Sequence, residues 1–264
     1  MPYHLSATKL QLYNLCPQAF YFRYECNLDS AAMFGSAALG TALHQALAHV
    51  HGQWHYQDSR PSRAWIHYCW QQHNQGLTPS QLAEGAAMLD SYYDRFIATR
   101  PSLSRPVAVE GRIQASFLIH NIEFVVSGRY DRIDVLDEGL ELIDYKSGRE
   151  IKQLDPAEVD LQLGLYCIAL EQRYQRSLKR LSLIYLRSGE QVCFDVTAEH
   201  RQRVQTVLEN LALELRDAGP WQPKAGDHCD RCAYLRYCPA RQPNPVPLPA
   251  HARPERKLQL ALAI

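Results

Sequence analysis

The sequence has no run of about 18 consecutive apolar residues, which excludes a membrane-spanning helix. Its opening segment, MPYHLSATKL, lacks the apolar stretch of a secretory signal, so a cytoplasmic protein is expected. Excess charge of either sign is also missing, because 28 Lys and Arg balance 28 Asp and Glu. Without a global positive field, any polyanionic partner has to be met by local cations. No self-similarity of solenoid length occurs. Gly35, Gly40 and Thr41 imitate a phosphate-binding loop, but the lysine such a loop needs is absent, which excludes nucleotide binding there. Cysteine is not scarce. Eight cysteines in a chain expected to stay reduced argue for metal ligation rather than disulfides.

At 264 residues and 46% hydrophobic content, the chain can form one large domain or two small ones. Ser6 reads as the N-cap of a short helix that carries Leu10 and Tyr13 and ends at Cys16-Pro17. Leu39, Leu43, Leu47 and Val50 form the buried stripe of a helix over 39–51, with His44 beside the stripe. Trp65, Ile66 and Cys69 mark a further helix. Thr78-Pro79-Ser80-Gln81 is a capping-box start for another, with Met88, Leu89, Tyr92, Tyr93 and Phe96 turned inward. After a linker bounded by Pro101 and Pro106, residues 107–117, 122–126 and a hairpin over 128–148 read as consecutive strands. Asp155-Pro156-Ala157-Glu158 opens a helix to Tyr174, residues 183–186 and 192–196 are strands, and Thr197 opens a helix through Leu215. This order predicts an α/β core, a mixed and mostly antiparallel central sheet flanked by helices. Residues 1–240 read as one domain and 241–264 as a flexible, proline-rich tail.

The hairpin GRYDRIDVLDEGLELIDYKSG carries the chemistry. Strand alternation sets Leu142, Asp144 and Lys146 on one face and turns Ile143 and Tyr145 into a core. Asp131 lies on the preceding strand. Carboxylates beside an amine are costly to hide, although a lone Asp-x-Lys more often makes a structural ion pair. Asp134 is read as a charge partner of Arg132. Glu110 could lie near the same site, but a surface or turn role suits it equally. His49, His51, His55, His67 and His73 show no ligand spacing and are read as surface residues.

Cys229-x2-Cys232-x5-Cys238 supplies three metal ligands in one tight loop, and Cys16, between a helix end and a proline, is the choice for a fourth. Cys26 could substitute for Cys16, and His228 for one thiolate. Four thiolates suit either zinc or an iron–sulfur cluster, and either would clasp the N- and C-terminal segments around the sheet.

These pieces, with LSATKLQLYNLCPQAFYFRY, GTALHQAL around His44, GRYDRID, LIDYKSG and QLGLY at Gln162 and Tyr166, occur in the order found in one family. The chain resembles the PD-(D/E)xK nuclease superfamily. The likeness is to its RecB-like branch, which contains the AddB nuclease domain and the CRISPR-associated iron–sulfur adaptation nucleases. The resemblance implies a restriction-endonuclease-like fold and a metal-dependent DNA nuclease. It implies that His44, Asp131, Asp144 and the backbone carbonyl of Tyr145 bind Mg2+ or Mn2+, and that Lys146 orients or activates the attacking water. Gln162 and Tyr166 would line the nucleic-acid path. Cys16, Cys229, Cys232 and Cys238 would hold a 4Fe-4S cluster, with zinc as the alternative.

Hydrolysis of single-stranded DNA or DNA ends in repair or recombination is the activity expected. CRISPR spacer acquisition and a non-catalytic DNA-binding module with the same fold are the alternatives. No helicase motif is recognisable, so a separate helicase is an expected companion. Lys9, Arg23, Arg129, Arg132, Arg149 and Lys152 are the candidate cations for nucleic acid. The tip of the tail, residues 259–264, is similar to the glutamine-plus-leucine peptides that grip sliding clamps, although docking on its own domain is the weightier reading.

Overall fold

The computed structural model describes residues 2–28, 37–148, 156–217, 221–250 and 252. The chain opens with a short strand, β1 (Tyr3–Leu5), then α1 (Ala7–Leu15) and α2 (Pro17–Phe20), which continues as a π-helical turn (Tyr21–Glu25). Three helices follow: α3 (Ala37–Gly52), α4 (Arg63–His73) and α5 (Pro79–Tyr92). Next come β2 (Ala108–Ile119), β3 (Ile122–Leu136), β4 (Gly139–Lys146), α6 (Pro156–Tyr174), β5 (Leu178–Tyr185), β6 (Glu190–Asp195) and α7 (Ala198–Arg216). Two 3-10 turns, Asp227–Arg231 and Leu235–Tyr237, make the C-terminal knuckle.

Local chemistry accounts for the helix starts. The Ser6 hydroxyl accepts from the Lys9 backbone N–H, and the Ser62 hydroxyl does the same for Trp65. Thr78 and Gln81 form the full capping box, with Pro79 at the first helical position where no N–H is missed. Thr197 caps α7, with His200 rather than a carboxamide closing the box.

The sheet is mixed and runs β1-β3-β4-β5-β6, with β2 paired along the other edge of β3. β1 lies parallel to the first half of β3 (Tyr3↔Phe124), and β4 lies antiparallel to its second half (Arg132↔Ile143). β2 pairs antiparallel along nearly all of β3, β4 pairs parallel with β5, and β5 pairs antiparallel with β6. Three sequence expectations are corrected here. Residues 122–126 and the first arm of the hairpin are one strand, β5 begins at Leu178 rather than 183, and β1 was not foreseen. One core of the sheet is covered by α3, α4 and α5, through Leu43, Leu47, Ile66, Leu89, Ile143 and Tyr145. On the other side α1, α6 and α7 bury Leu10, Phe124, Val126, Leu161, Val204 and Leu211.

The chain does not leave the body at Arg241. The Val246 backbone N–H donates to Arg236 O at 2.8 Å, and Ala252 is buried against the knuckle among Phe22, Tyr234 and Tyr237. Any free tail therefore starts later than position 241, and the clamp-like residues 259–264 lie outside the described residues, as do Arg149, Lys152 and the Asp155 cap. Among the described residues no helix is long and apolar enough to cross a membrane.

Candidate active site

Register aligns the acidic residues. β2 and β3 pair as Val109↔Arg132 and Gly111↔Tyr130, so Glu110 falls opposite Asp131. β3 and β4 pair as far as Arg132↔Ile143, so the next step sets Asp131 opposite Asp144. Directly opposed residues share a face, and Glu110, Asp131 and Asp144 therefore form one row across three strands. Regular pairing skips this row. The Tyr145 backbone N–H donates instead to Asp131 Oδ2 at 2.7 Å. Glu110 has φ 44°, the left-handed region that costs a non-glycine residue about 1–3 kcal/mol.

Helix α3 closes the site from above. Its Gly40 passes so near β4 that a Cβ would lie 2.9 Å from Ser147 Oγ. One turn on, His44 Nδ1 stands 3.0 Å from Asp131 Oδ1. The donor atoms of His44, Glu110 and Asp131 all lie within 4.8 Å of one another, and an imidazole with two carboxylates at that spacing fits a divalent cation. Asp144, expected as a ligand, hydrogen-bonds to Asp131 and pairs through Oδ2 with Lys146 Nζ at 2.5 Å. Glu110 is thus the residue that sequence reading undervalued. An acidic residue on a strand edge carries no signal until register is known.

Crowding drives the carboxyl pKa values apart. Burial raises Asp144, and the neighbouring Asp131 charge adds to it against the pull of Lys146. Burial also acts to raise Asp131, but the hydrogen bond and charge of His44 and the Tyr145 N–H outweigh it, and its carboxyl is held below the ordinary range. Burial acts to lower His44, yet its contacts with Asp131 and the charges of Asp144 and Glu110 raise it overall.

Gln162 and Tyr166, one turn apart on α6, face the same space, and the Tyr166 hydroxyl donates to Arg129 O at 3.0 Å. That ring packs against β3 at a glycine; a Cβ at position 128 would meet Tyr166 Cε1 at 2.8 Å. All these groups line one cavity of about 1370 Å3. It is larger than the roughly 300–1,000 Å3 of ordinary small-ligand pockets.

Two expectations for the surrounding residues are corrected. Arg132 is not a surface cation for nucleic acid. It is buried on the opposite face, its Nη1 2.7 Å from His51 Nε2 and 2.9 Å from the Tyr92 and Tyr145 hydroxyls, with Nε 3.0 Å from Asp134. His51 is likewise buried rather than exposed, and His49 and His73 line the cavity. Lys9 donates to His4 O at 2.7 Å and lies over the Tyr3 and Tyr24 rings, whereas Arg129 is exposed beside Glu110 at the cavity wall.

At the clasp, Cys16, Cys229, Cys232 and Cys238 line one small cavity together with His228, whose buried Nε2 has no hydrogen-bond partner. Burial, followed by the other three thiols, raises the Cys232 pKa against the pull of the Tyr234 N–H. Cys26 is fully buried beside Tyr21 and does not line that cavity.

The chain has no match among curated proteins. Two solved structures align with most of it. One is SSO0001, at 14% identity over 92% of this chain and 89% of that one, with TM-score 0.44. The other, a Eubacterium rectale protein described as a provisional exonuclease, is 9% identical over 88% of each chain, with TM-score 0.46. The family model of the PD-(D/E)XK nuclease superfamily matches residues 4–239, and the chain belongs to that superfamily.

Proposed function

We propose that the protein is a divalent-metal-dependent deoxyribonuclease of the RecB-like branch, acting on single-stranded DNA or DNA ends. The observation that carries this reading is the row Glu110, Asp131 and Asp144, with His44 over it and Lys146 beside it, in one cavity. A phosphodiester gains negative charge on the way to its transition state, and a bound Mg2+ or Mn2+ would offset that charge and acidify a water molecule. His44, Glu110 and Asp131 are the residues to hold the cation, with Asp144 and the Tyr145 carbonyl beside them. A histidine in the set favours Mn2+ alongside Mg2+. Lys146, held by Asp144, is positioned to orient the attacking water or to contact the scissile phosphate. Tyr166 and Gln162 border the path of the strand, and Arg129 adds charge at its edge.

The four thiols and the unpartnered His228 nitrogen around one cavity fit a thiolate-bound metal group. Cys16, Cys229, Cys232 and Cys238 would hold a 4Fe-4S cluster, which would join the two ends of the fold.

The test is digestion of end-labelled single- and double-stranded DNA with Mn2+, comparing wild type with Lys146→Ala. Cleavage by wild type and its loss in the folded variant is the expected result. No cleavage by wild type, or equal cleavage by the variant, refutes the assignment.

A further inference from the structure

The catalytic cavity extends well past the acidic row, and its far wall is aromatic. Gln45, Ala48, His49 and Gly52 continue the cavity-facing side of α3 beyond His44. His49 lies five residues on from His44, about 7.5 Å along the axis at 1.5 Å per residue. There α4 presents Trp65, Tyr68 and His73 to the same space.

These rings are held in fixed positions. The Trp65 indole N–H donates to Val50 O at 3.2 Å, and Trp54 backs the ring at 5.8 Å. Tyr68 stacks on Trp65, with centroids 5.6 Å apart and planes 25° from parallel. His49 stands edge-on to both, at 5.6 and 5.9 Å, and is pinned by a 3.1 Å hydrogen bond between its Nδ1 and His73 Nε2. A cluster of this kind ordinarily belongs to a core, but the Tyr68 side is 48% exposed and borders the cavity.

We infer that Tyr68, backed by Trp65 and His49, is a stacking subsite for an unpaired base of the nucleic-acid strand whose phosphate lies at His44 and Asp131. The inference rests on the nuclease reading above and adds the part of the substrate that the far wall recognises. Every base has a π-face, so the subsite would grip any sequence. It also requires a base freed from its partner, because a paired base keeps its faces inside the duplex stack. A single strand is therefore the form that can use this wall, with Arg129 and Lys146 meeting its backbone at the other end of the cavity.

The experiment uses fluorescein-labelled oligothymidylate of about 12 nucleotides, within the 4–16 nucleotide span of single-strand sites. Fluorescence anisotropy is read on the full chain carrying Lys146→Ala, so that binding is separated from cleavage. Adding Tyr68→Ala should weaken binding at least about fivefold, while Tyr68→Phe should restore it, because stacking needs the ring and not the hydroxyl. Walking one abasic position along the oligonucleotide should give a single peak of lost affinity that disappears in the Tyr68→Ala protein. Unchanged affinity in Tyr68→Ala, or a flat abasic profile, overturns the subsite and leaves the nuclease reading intact. No binding by the Lys146→Ala parent together with no cleavage by wild type removes both.

Discussion

Replacing Arg132 with methionine tests whether the site is held from behind by a buried cation. Arg132 follows Asp131 on β3 and points into the opposite layer, where its guanidinium joins His51, Tyr92, Tyr145 and Asp134. Tyr145 in turn fixes Asp131 through its backbone N–H. Removing one partner of a buried charged cluster costs about 3–5 kcal/mol. The lower end applies here, because the two hydroxyls left behind keep partners and only Asp134 is stranded. The Tyr92 hydroxyl retains His51 at 2.8 Å and the Tyr145 hydroxyl retains Tyr92 at 3.3 Å, whereas the buried Asp134 Oδ1 loses the guanidinium that faces it. At roughly 2–4 °C per kcal/mol for a chain of this size, a loss of about 3 kcal/mol lowers Tm by roughly 6–12 °C. Circular dichroism melts at pH 7.5 measure it, and a Tm within about 2 °C of wild type would refute the reasoning.

The same cluster makes a pH prediction. Burial, then the charges of Arg132 and Arg100, hold the His51 imidazole well below its ordinary value. The unfolded chain takes up a proton below about pH 6.5 that the folded chain refuses. His51 therefore contributes full stability above that pH and loses it as pH falls, by up to about 1.4 kcal/mol per unit. The difference in unfolding free energy between wild type and His51→Gln should change by about 1 kcal/mol between pH 6.5 and 5.5, where the unfolded imidazole goes from half to nearly fully protonated, and a constant difference would exclude it.

Three further outcomes are expected. Glu110→Gly should relieve the backbone at φ 44° and raise stability by about 1 kcal/mol, while weakening Mn2+ binding by isothermal titration; a less stable protein would show that φ carries no strain. Gly128→Ala puts a Cβ 2.8 Å from Tyr166 and should displace that ring at a cost of about 1–3 kcal/mol, read by urea denaturation; unchanged stability would mean that the ring yields freely. Cys16→Ala should abolish absorbance near 400 nm in protein purified without oxygen and lower Tm, whereas intact colour would remove Cys16 from the ligand set.

Helix starts were readable because their signals are local. Ser6, Thr78 and Thr197 each satisfy a backbone N–H three residues away, so a short window of sequence contains both partners. The apolar stripe Leu39, Leu43, Leu47 and Val50 was readable for the same reason. β3 was read as two strands because Ser127-Gly128 interrupts its apolar pattern. That glycine answers to Tyr166, 38 positions away in sequence, whose ring needs the space a Cβ would fill. β1, at three residues, is too short for any period to show.

The acidic row marks the same boundary for the site. Asp131, Asp144 and His44 stood out because each sits in a segment that matches the family, GRYDRID, LIDYKSG and GTALHQAL. Glu110 had no such signal, and only the register of β2 on β3 sets it opposite Asp131. Its left-handed backbone is the physical trace of that demand. A row of carboxylates repels itself, the ladder skips the row, and the strand accepts strain at Glu110 to aim a carboxylate at the point where His44 and Asp131 already converge. Regular pairing alone gives no reason for a non-glycine residue to adopt that conformation in mid-strand. A cation shared by the three side chains, as proposed above, would supply one.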